Sequence, residues 1–359
     1  MKISVIIPAF NIAKELEDCL ESLNRQSLPK DSYEVIIVDD CSLDNTFEIA
    51  RQHSGGEMNV RCYRLGRNGG PGIARNKGID EAKGDFVVFL DGDDFLPDYA
   101  LESLNDIAVK HRADVVTFNW AYSDGIRHPG QMLPQRRDLF DIPDDKMELA
   151  RLYLSMNFDG SVIYTMTSKK LLDDNMIRFP GGLHEDLSVI FKIYYCSENL
   201  FCEEKVMYLK RNREGSIVNS ISREHIEGYL SSWPNIKNFI IGKKGSDFVE
   251  NIMPYYMKGV TGLVACALLK NMTINGSEPQ VKNEIYLNIY EKIQYYFSAE
   301  IETYSLPNET RYDKLANCFY KAFLENHGKS ELAASNFESN AIRLNLTNTH
   351  CCDGAVLDE

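Results

Sequence analysis

The sequence lacks three features that would each point to a particular class of protein. It has no basic excess, because 39 Lys and Arg residues stand against 53 Asp and Glu residues, a net charge of −14. That balance argues against a general nucleic-acid binder. It has no long apolar run, since the most apolar later window, Val260–Leu269, is about half of the roughly 20 residues that a membrane span needs. Its nine cysteines include no CxxC pair.

The cysteines and the first apolar stretch together indicate a reducing compartment. Scattered cysteines in a chain of 359 residues are typical of reduced thiols rather than of a disulfide framework or a zinc site. The N-terminal apolar stretch breaks at Pro8, so it is too short for a signal peptide and predicts a buried strand. We therefore expect a cytoplasmic protein, which could still reach the inner face of the membrane through a partner or a surface patch.

Three common nucleotide and metal motifs are also missing. Pro8–Asn11 follow the first apolar run, where a dinucleotide-binding fold would have GxGxxG. No GxxxxGK[ST] phosphate loop occurs in the sequence. An EF-hand loop that starts at Asp91 would need an acidic ligand and a glycine where Phe95 and Leu96 stand. These three binding modes are therefore excluded.

The first 120 residues alternate short apolar runs with helical patterns. The runs predict strands at Ile3–Ile7, Glu34–Val38, Val60–Leu65, Phe86–Leu90 and Asp114–Phe118. Apolar residues at helical spacing follow each of the first four. This alternation predicts an α/β fold with a mostly parallel sheet flanked by helices. Ligands of such sheets gather at the carboxyl ends of the strands. The segments at those ends are Pro8–Asn11, Asp39-Asp40, Asn68–Gly72 and Asp91–Asp94.

The later sequence is less regular and then becomes helical. It predicts a helix near Lys146–Met156, a strand at Val162–Thr167 and a helix that begins at His184-Glu185-Asp186. From about Ser222 to Leu324 no strand pattern recurs. We predict three regions: an α/β domain at 1–220, a mainly helical C-terminal region at 221–327 and a flexible tail at 328–359.

The Asp91-Gly92-Asp93 loop is the strongest candidate for metal chemistry. Two carboxylates one residue apart, just past a buried strand, can both reach a hard cation through oxygen atoms. Gly92 allows a tight turn and a close ligand. An acidic turn without a ligand is the alternative, so the short motif alone does not establish a metal site.

Four segments in fixed order carry a more specific signal: SVIIPAFN, VIIVDDCSLDNT, NGGPGIARNKGIDEAKGDFVVFLDGDD and HEDLSVIF. Together they resemble the family 2 glycosyltransferases of the GT-A (Rossmann-like) fold, over roughly residues 1–220. The resemblance implies inverting transfer of a hexosyl or N-acetylhexosaminyl group from a nucleotide-sugar, most often a UDP-sugar, with Mn²⁺ or Mg²⁺. The acceptor would be a glycan or lipid-linked hydroxyl in surface polysaccharide or glycoconjugate synthesis.

On the donor side, the resemblance implies roles for the ends of the first strands. The residues that would cradle the nucleobase edge are Pro8, Ala9, Phe10 and Asn11. Phe10 stands where the family usually has tyrosine, so it keeps the ring and loses the hydroxyl. Asp40, beside Asp39, would accept a hydrogen bond from the uracil imide N–H, although Asp39 could instead hold the turn. Asn68 and Arg75 would lie near the base or the phosphates, and Arg75 could equally be a structural ion-pair partner.

The resemblance also divides the acidic loop into separate roles. Asp93 would ligate the metal directly, whereas Asp91 would contact the ribose or a metal-bound water. Gly92 would let the donor approach. Asp94 would shape the donor-sugar pocket or cap the next helix.

Inverting transfer needs a base for the acceptor hydroxyl, and the later acidic cluster supplies the candidates. Asp186 matches the base of the family and Glu185 is the weaker candidate, while His184 could touch phosphate or acceptor. The alternative is an acidic helix start that complements the helix dipole.

A basic segment downstream resembles one that closes over the donor phosphates in this family. Arg211, Arg213 and Ser216 would be its clamps, and a solvated basic loop is the alternative. His225 could complete the metal shell or be an ordinary surface histidine.

Two other functions remain open at this point. A sugar-phosphate nucleotidyltransferase would need a basic glycine-rich loop directly after the first strand, which Pro8–Asn11 are not. A non-catalytic nucleotide-sugar-binding protein would not need intact Asp91, Asp93 and Asp186. The helical C-terminal region could complete the acceptor site, form a homodimer interface or bind peripherally to a membrane.

Overall fold

The computed structural model describes residues 2–56, 58–123, 143, 145–155, 161–182, 184–211, 223–275 and 318. The chain divides into two compact units. One, the sheet unit, comprises Met1–Ile142 and Gly160–Arg213. The other, the helical unit, comprises Pro143–Asp159 and Glu214–Glu359.

The sheet unit is built on a seven-stranded sheet. Its strands are β1 (Ile3–Ala9), β2 (Tyr33–Asp39), β3 (Val60–Arg64), β4 (Phe86–Phe89), β5 (Val115–Ser123), β6 (Thr165–Ser168) and β7 (Leu200–Arg211). They lie in the order β3-β2-β1-β4-β6-β5-β7. Strand β6 is antiparallel to both of its neighbours, and the other pairs are parallel. Six strands therefore end at one edge, which we call the carboxyl edge.

Helices connect these strands and make up the helical unit. They are α1 (Leu16–Asn24), α2 (Thr46–Gln52), α3 (Pro71–Glu81), α4 (Ala100–His111), α5 (Lys146–Leu154), α6 (Lys169–Asp174), α7 (Asp186–Cys196), α8 (Arg223–Lys244) and α9 (Ser246–Asn275). All seven residues of β1 and of β2 are buried, as expected for strands in the middle of a sheet that helices cover on both faces.

Helix α3 lies directly against β1. Pro71 suits the first turn of α3, where no backbone N–H is needed, and Gly70 before it has a φ of 85° that favours glycine. A Cβ atom on Gly78 would lie 2.3 Å from Cγ2 of Ile6, so only glycine allows this close packing. The contact fixes the position of Arg75, which α3 also carries.

The predicted α/β architecture is confirmed. Each of the predicted strands is present, although Val162–Tyr164 form a short 3₁₀ turn before β6. Strand β7 was not predicted, because its first half contains the charged residues 203–205 and shows no apolar run. Its pairing with β5 shifts register on both sides of Asn119, which is typical of a β-bulge. The division at residues 220 and 327 stays a prediction.

The helical unit is described for α5, α8 and α9. Trp233 of α8 stacks on the buried Tyr256 of α9 at a centroid distance of 5.0 Å, and the guanidinium of Arg151 in α5 lies 5.4 Å from the ring of Tyr255. These contacts agree with core packing for the Tyr255-Tyr256 pair. In the part of the chain that the structure describes, none of the helices combines the length and apolar character that crossing a membrane requires.

Candidate active site

Asp40 joins three of the segments at the carboxyl edge. Its backbone N–H donates to the carbonyl of Ala9 at the end of β1, at 2.8 Å. Its carboxylate oxygens accept from the backbone N–H groups of Gly69 at 2.8 Å and Gly70 at 2.7 Å. Because each carboxylate oxygen has two lone pairs, Asp40 can still accept a hydrogen bond from a ligand. The glycine loop is thereby held next to the ends of β1 and β2.

Asp39, which precedes Asp40 at the end of β2, is fully buried. Its Oδ2 atom forms an ion pair with Nε of Arg64 at 3.2 Å and accepts from the backbone N–H of Ser42, also at 3.2 Å. These contacts favour the interpretation that Asp39 holds the turn after β2. The Oδ1 atom has no hydrogen-bond partner among the described residues.

The end of β1 presents one aromatic ring to solvent. Pro8 and Ala9 are buried as the last residues of the strand, whereas Phe10 is 44% exposed. Asn11 takes a φ of 52°, and its side chain accepts from the backbone N–H of Leu43 at 2.8 Å. Of the predicted nucleobase cradle, Phe10 is thus the ring available for stacking and Asn11 fastens the neighbouring loop. Asn68 is exposed at the start of the glycine loop.

The acidic loop follows β4 and packs tightly on the end of β1. A Cβ atom on Gly92 would lie 2.3 Å from Cδ1 of Ile12, so glycine lets the loop approach the sheet. Asp94 is buried and accepts from the hydroxyl of Tyr208 at 2.6 Å and from the backbone N–H of Arg211 at 2.8 Å. Burial, followed by the charges of the neighbouring aspartates, raises the pKa of Asp94 to about 8.

The predicted helix cap at Asp94 is wrong. Helix α4 begins at Ala100, with Tyr99 at the N-cap position. Asp94 is too far from that helix start and is turned instead towards β7, where its carboxylate is hydrogen-bonded.

Strand β7 holds the acidic loop from the other side. The Tyr208 hydroxyl also accepts from the backbone N–H of Asp91 at 3.3 Å. The guanidinium of Arg211 donates to the carbonyl of Asp93 and to the carboxylate of Asp18, both at 2.9 Å. Arg211, predicted as a phosphate clamp, therefore supports the loop through its described contacts. Tyr208 was missed from the sequence, where the only signal is that a buried tyrosine hydroxyl needs a partner.

Arg75 connects the acidic loop with the later acidic cluster. Its guanidinium pairs with Asp91 at 2.8 Å and with Glu185 at 2.6 Å, and it lies 5.5 Å from the ring centroid of Phe179. The side chains of Arg75 and Glu185 are 8% and 7% exposed. A Cβ atom on Gly72 would lie 2.7 Å from Cγ of Glu185. These contacts favour the ion-pair interpretation of Arg75.

Asp186 and Glu185 are adjacent but have different partners. Asp186 is the first residue of α7 and accepts from the hydroxyl of Ser161 at 3.0 Å. Burial raises its pKa, and the nearby positive charge of Arg75 opposes that effect. Burial likewise raises the pKa of Glu185 to about 6, against the lowering by Arg75. Since Glu185 is engaged by Arg75, Asp186 is the better candidate for a base. His184, with a φ of 55°, precedes the pair.

The side chains of three further predicted residues lie outside the part of the chain that the structure describes. Arg213 and Ser216 lie outside the described residues, and of His225 only the backbone, in α8, is described. Within the described ranges, no group of three or more His, Cys, Asp and Glu side chains is arranged to hold a metal ion. Asp91 and Asp93 nevertheless offer the hard oxygen atoms that Mg²⁺ and Mn²⁺ prefer.

Replacing Arg75 by Ala is expected to lower the free energy of unfolding by about 3–5 kcal/mol, because Glu185 would keep a buried charge without its partner. Urea unfolding at neutral pH, followed by circular dichroism, measures the change. Arg178→Ala is the matched control. Arg178 also lies between two carboxylates, Asp80 at 3.0 Å and Asp173 at 2.9 Å, but is 33% exposed, so about 0–1 kcal/mol is expected. Equal losses in both variants would contradict the buried bridge.

Comparison with known proteins shows which family this chain resembles. The model of glycosyl transferase family 2 matches residues 4–172. The poly(ribitol-phosphate) beta-N-acetylglucosaminyltransferase TarS of Staphylococcus aureus is 31% identical over 229 residues, which cover 61% of this chain and 37% of TarS. The poly(ribitol-phosphate) beta-glucosyltransferase of Bacillus spizizenii is 28% identical over 70% of this chain and 38% of that protein. The chain thus spans less than two fifths of the length of these curated relatives.

A solved structure shares the fold. The crystal structure of S. aureus TarS 1-349 in complex with UDP-GlcNAc has a TM-score of 0.67 and 22% sequence identity, and the match covers 96% of this chain and 92% of that chain. The shared sheet architecture agrees with the match of the family model, which extends from β1 into α6. The chain therefore shares the GT-A fold of that structure, and its residues 4–172 resemble the family 2 glycosyltransferases.

Proposed function

We propose that the sheet unit catalyses inverting transfer of a sugar from a UDP-sugar to a hydroxyl group of a surface glycan or a related polymer. The observation that carries this proposal is the buried Arg75 bridge. It holds Asp91 of the acidic loop and Glu185, the neighbour of Asp186, on one guanidinium. A diphosphate on the loop and a base at Asp186 would then share a fixed separation, as transfer requires.

The nucleoside would bind at the ends of β1 and β2. Phe10 supplies an exposed ring for stacking, and Asp40 supplies an acceptor for the imide N–H of uracil. The Asp40 carboxylate is prealigned by Gly69 and Gly70, so little freedom would be lost when the base binds. Asp91 is 31% exposed and would contact the ribose or a metal-bound water.

A divalent cation fits the acidic loop by its donor set, with Asp93 as the direct ligand and Asp91 as the second carboxylate. Mn²⁺ or Mg²⁺ bound there would neutralise charge on the diphosphate leaving group. The protein contributes the position of both carboxylates. Tyr208 and Arg211 fix the backbone of Asp91 and Asp93 from β7, and Gly92 lets the loop lie against β1.

Asp186 would be the base of the reaction. Its carboxylate takes the proton from the acceptor hydroxyl as that oxygen bonds to the anomeric carbon and the bond to the diphosphate breaks. The Ser161 hydroxyl orients one carboxylate oxygen at 3.0 Å and leaves the other for the acceptor. Glu185, whose charge is compensated by Arg75, would keep α7 in place and would not take the proton of the acceptor hydroxyl.

The donor and acceptor are proposed at the level of chemical class. TarS 1-349 was crystallised with UDP-GlcNAc, and the two curated relatives act on poly(ribitol-phosphate) as an N-acetylglucosaminyltransferase and a glucosyltransferase. These names support a UDP-hexose or UDP-N-acetylhexosamine donor and a surface-polymer acceptor. A nucleotidyltransferase is less well supported, since β1 is followed by Phe10 and Asn11 rather than by a basic glycine-rich loop.

A cytoplasmic location is proposed on the basis of the thiols. Cys19, Cys41 and Cys62 are free, as expected in a reducing compartment. Peripheral association with the membrane and a homodimer stay predictions for the helical unit.

Asp186→Asn is expected to reduce sugar transfer by at least about 100-fold, because the amide cannot take the acceptor proton, while UDP binding stays nearly unchanged. Release of UDP from a panel of UDP-sugars and titration of UDP measure the two quantities. Asp174→Asn, on the exposed end of α6 and paired with Lys170, is the control that should keep both. Preserved transfer in Asp186→Asn would remove Asp186 from the mechanism.

The pH profile provides a second test of the base. Because burial raises the pKa of Asp186 above its usual 3.8, the ionised form is lost at a higher pH than for an ordinary aspartate. The turnover number should therefore begin to fall at a higher pH than an ordinary aspartate base would give, while UDP binding at each pH serves as the control. A turnover number that falls only at the pH where ordinary aspartates titrate would contradict a base with a raised pKa.

Asp93→Ala is expected to weaken Mn²⁺-dependent UDP binding by about tenfold or more, because a charged oxygen ligand is lost. Calorimetric titration of UDP with and without Mn²⁺ measures the effect. Asp98→Ala removes an exposed aspartate that pairs with Arg25, and it should leave the titration unchanged. Identical Mn²⁺ dependence in wild type and Asp93→Ala would rule out Asp93 as a ligand.

A further inference from the structure

Strands β5 and β7 carry a set of side chains of which only Tyr208 supports the donor site. In their parallel register, Trp120 lies opposite Tyr208 and Tyr122 lies opposite Lys210. Because side chains alternate along a strand and neighbouring strands share the same alternation, these four side chains lie on one face of the sheet. They lie at the carboxyl edge, where both strands end.

The aromatic rings of this face form a continuous row. Tyr122 meets Trp120 edge-to-face at 5.0 Å, Trp120 stacks on Tyr164 at 5.3 Å, and Tyr164 meets Tyr208 edge-to-face at 5.5 Å. Trp120, Tyr164 and Tyr208 are buried, but Tyr122 is 44% exposed. The ammonium group of Lys210 lies 5.5 Å from the Trp120 ring centroid. The row therefore ends at the surface in an aromatic ring and a half-buried cation.

This row connects with the acidic loop and with the segment that bonds to the candidate base, Asp186. At one end, the Tyr208 hydroxyl is hydrogen-bonded to Asp94 and to the backbone of Asp91. In the middle, Tyr164 ends the 3₁₀ turn that begins one residue after Ser161, the hydrogen-bond partner of Asp186. The open end of the row thus lies on the base side of the acidic loop, away from the strands β1, β2 and β3.

We propose that Tyr122 and Lys210 form an acceptor subsite that takes a polyol or sugar unit bearing a phosphate. This inference rests on the proposed function. In an inverting reaction the acceptor approaches from the side of the base. In the sheet order, β5 and β7 come next to β6, which follows the segment that bonds to Asp186. Neither Tyr122 nor Lys210 is among the residues proposed to contact the nucleoside or to ligate the cation.

The chemistry of the two side chains selects this class of acceptor. An exposed aromatic ring offers a flat apolar surface to the C–H groups of a polyol or sugar. A lysine ammonium is a compact cation that binds phosphate as a point charge. On a chain with a net charge of −14, a local cation is needed to attract an anionic acceptor. The indole N–H of Trp120, which is buried and has no hydrogen-bond partner among the described residues, adds a donor in the same cluster.

The test is calorimetric titration of a synthetic ribitol-phosphate trimer into the full chain saturated with UDP and Mn²⁺. Lys210→Ala should weaken binding of the trimer by about tenfold, the usual effect of losing one hydrogen bond to a charged group. Lys210→Arg should retain most of the affinity. Tyr122→Ala should weaken binding of the trimer by several-fold, whereas Tyr122→Phe should bind it nearly as wild type does. Added salt should weaken binding to the wild type more than to Lys210→Ala.

Lys205→Ala is the control on the same strand. Lys205 is exposed and its ammonium lies 3.7 Å from the ring centroid of Tyr99, so its loss should not change the affinity for the trimer. Equal affinities of wild type and Lys210→Ala, or no binding of the trimer by wild type, would overturn the subsite. UDP binding and UDP-sugar hydrolysis, measured alongside, separate this outcome from failure of the proposed function, in which the wild type would not bind UDP.

Discussion

The buried guanidinium of Arg75 is the interaction on which the site depends. A charge in this position is costly to bury, and it is tolerated because carboxylates from two distant segments approach within 2.8 Å. The buried carboxylate of Glu185 also needs the guanidinium, since its charge would otherwise be uncompensated in a low-dielectric environment. This mutual requirement keeps the acidic loop and the start of α7 in one geometry.

Close backbone packing makes that geometry possible. Gly78 lets α3 lie on Ile6 of β1, and Gly72 on the same helix leaves room for Glu185. Gly92 lets the acidic loop lie on Ile12. On the other side, Tyr208 and Arg211 of β7 fix the loop through its backbone. The site is therefore held by rigid elements on both sides, and its carboxylates need little reorganisation to bind a ligand.

The sequence predicts the fold well where local patterns decide. The central strands are uninterrupted apolar runs, because helices cover both faces of the sheet. The convergence of Asp40, the glycine loop and the acidic loop also follows from the rule that parallel strands end at one edge. Strand β7 could not be predicted from the sequence, because its first half is charged and partly exposed. It forms by pairing with β5, which is distant in the sequence.

The partners of individual site residues were harder to predict. Arg75 meets Asp91 and Glu185, which are 16 and 110 residues away in the sequence, and the sequence alone left its role open between phosphate binding and ion pairing. The same limit explains the error at Asp94, where the nearby helix suggested a cap and the tertiary contact with Tyr208 decided otherwise. Separation in sequence, rather than residue type, is what prevented these predictions.

The central claim is that one buried arginine holds a diphosphate-binding loop and a base at a fixed separation. A crystal structure of the protein with UDP and Mn²⁺ tests this most directly. The account predicts the diphosphate and the cation at Asp91 and Asp93, uracil beside Phe10 and Asp40, and Arg75 still paired with Asp91 and Glu185. A structure in which the diphosphate binds away from the acidic loop, or in which Arg75 leaves Glu185 to bind it, would contradict the account.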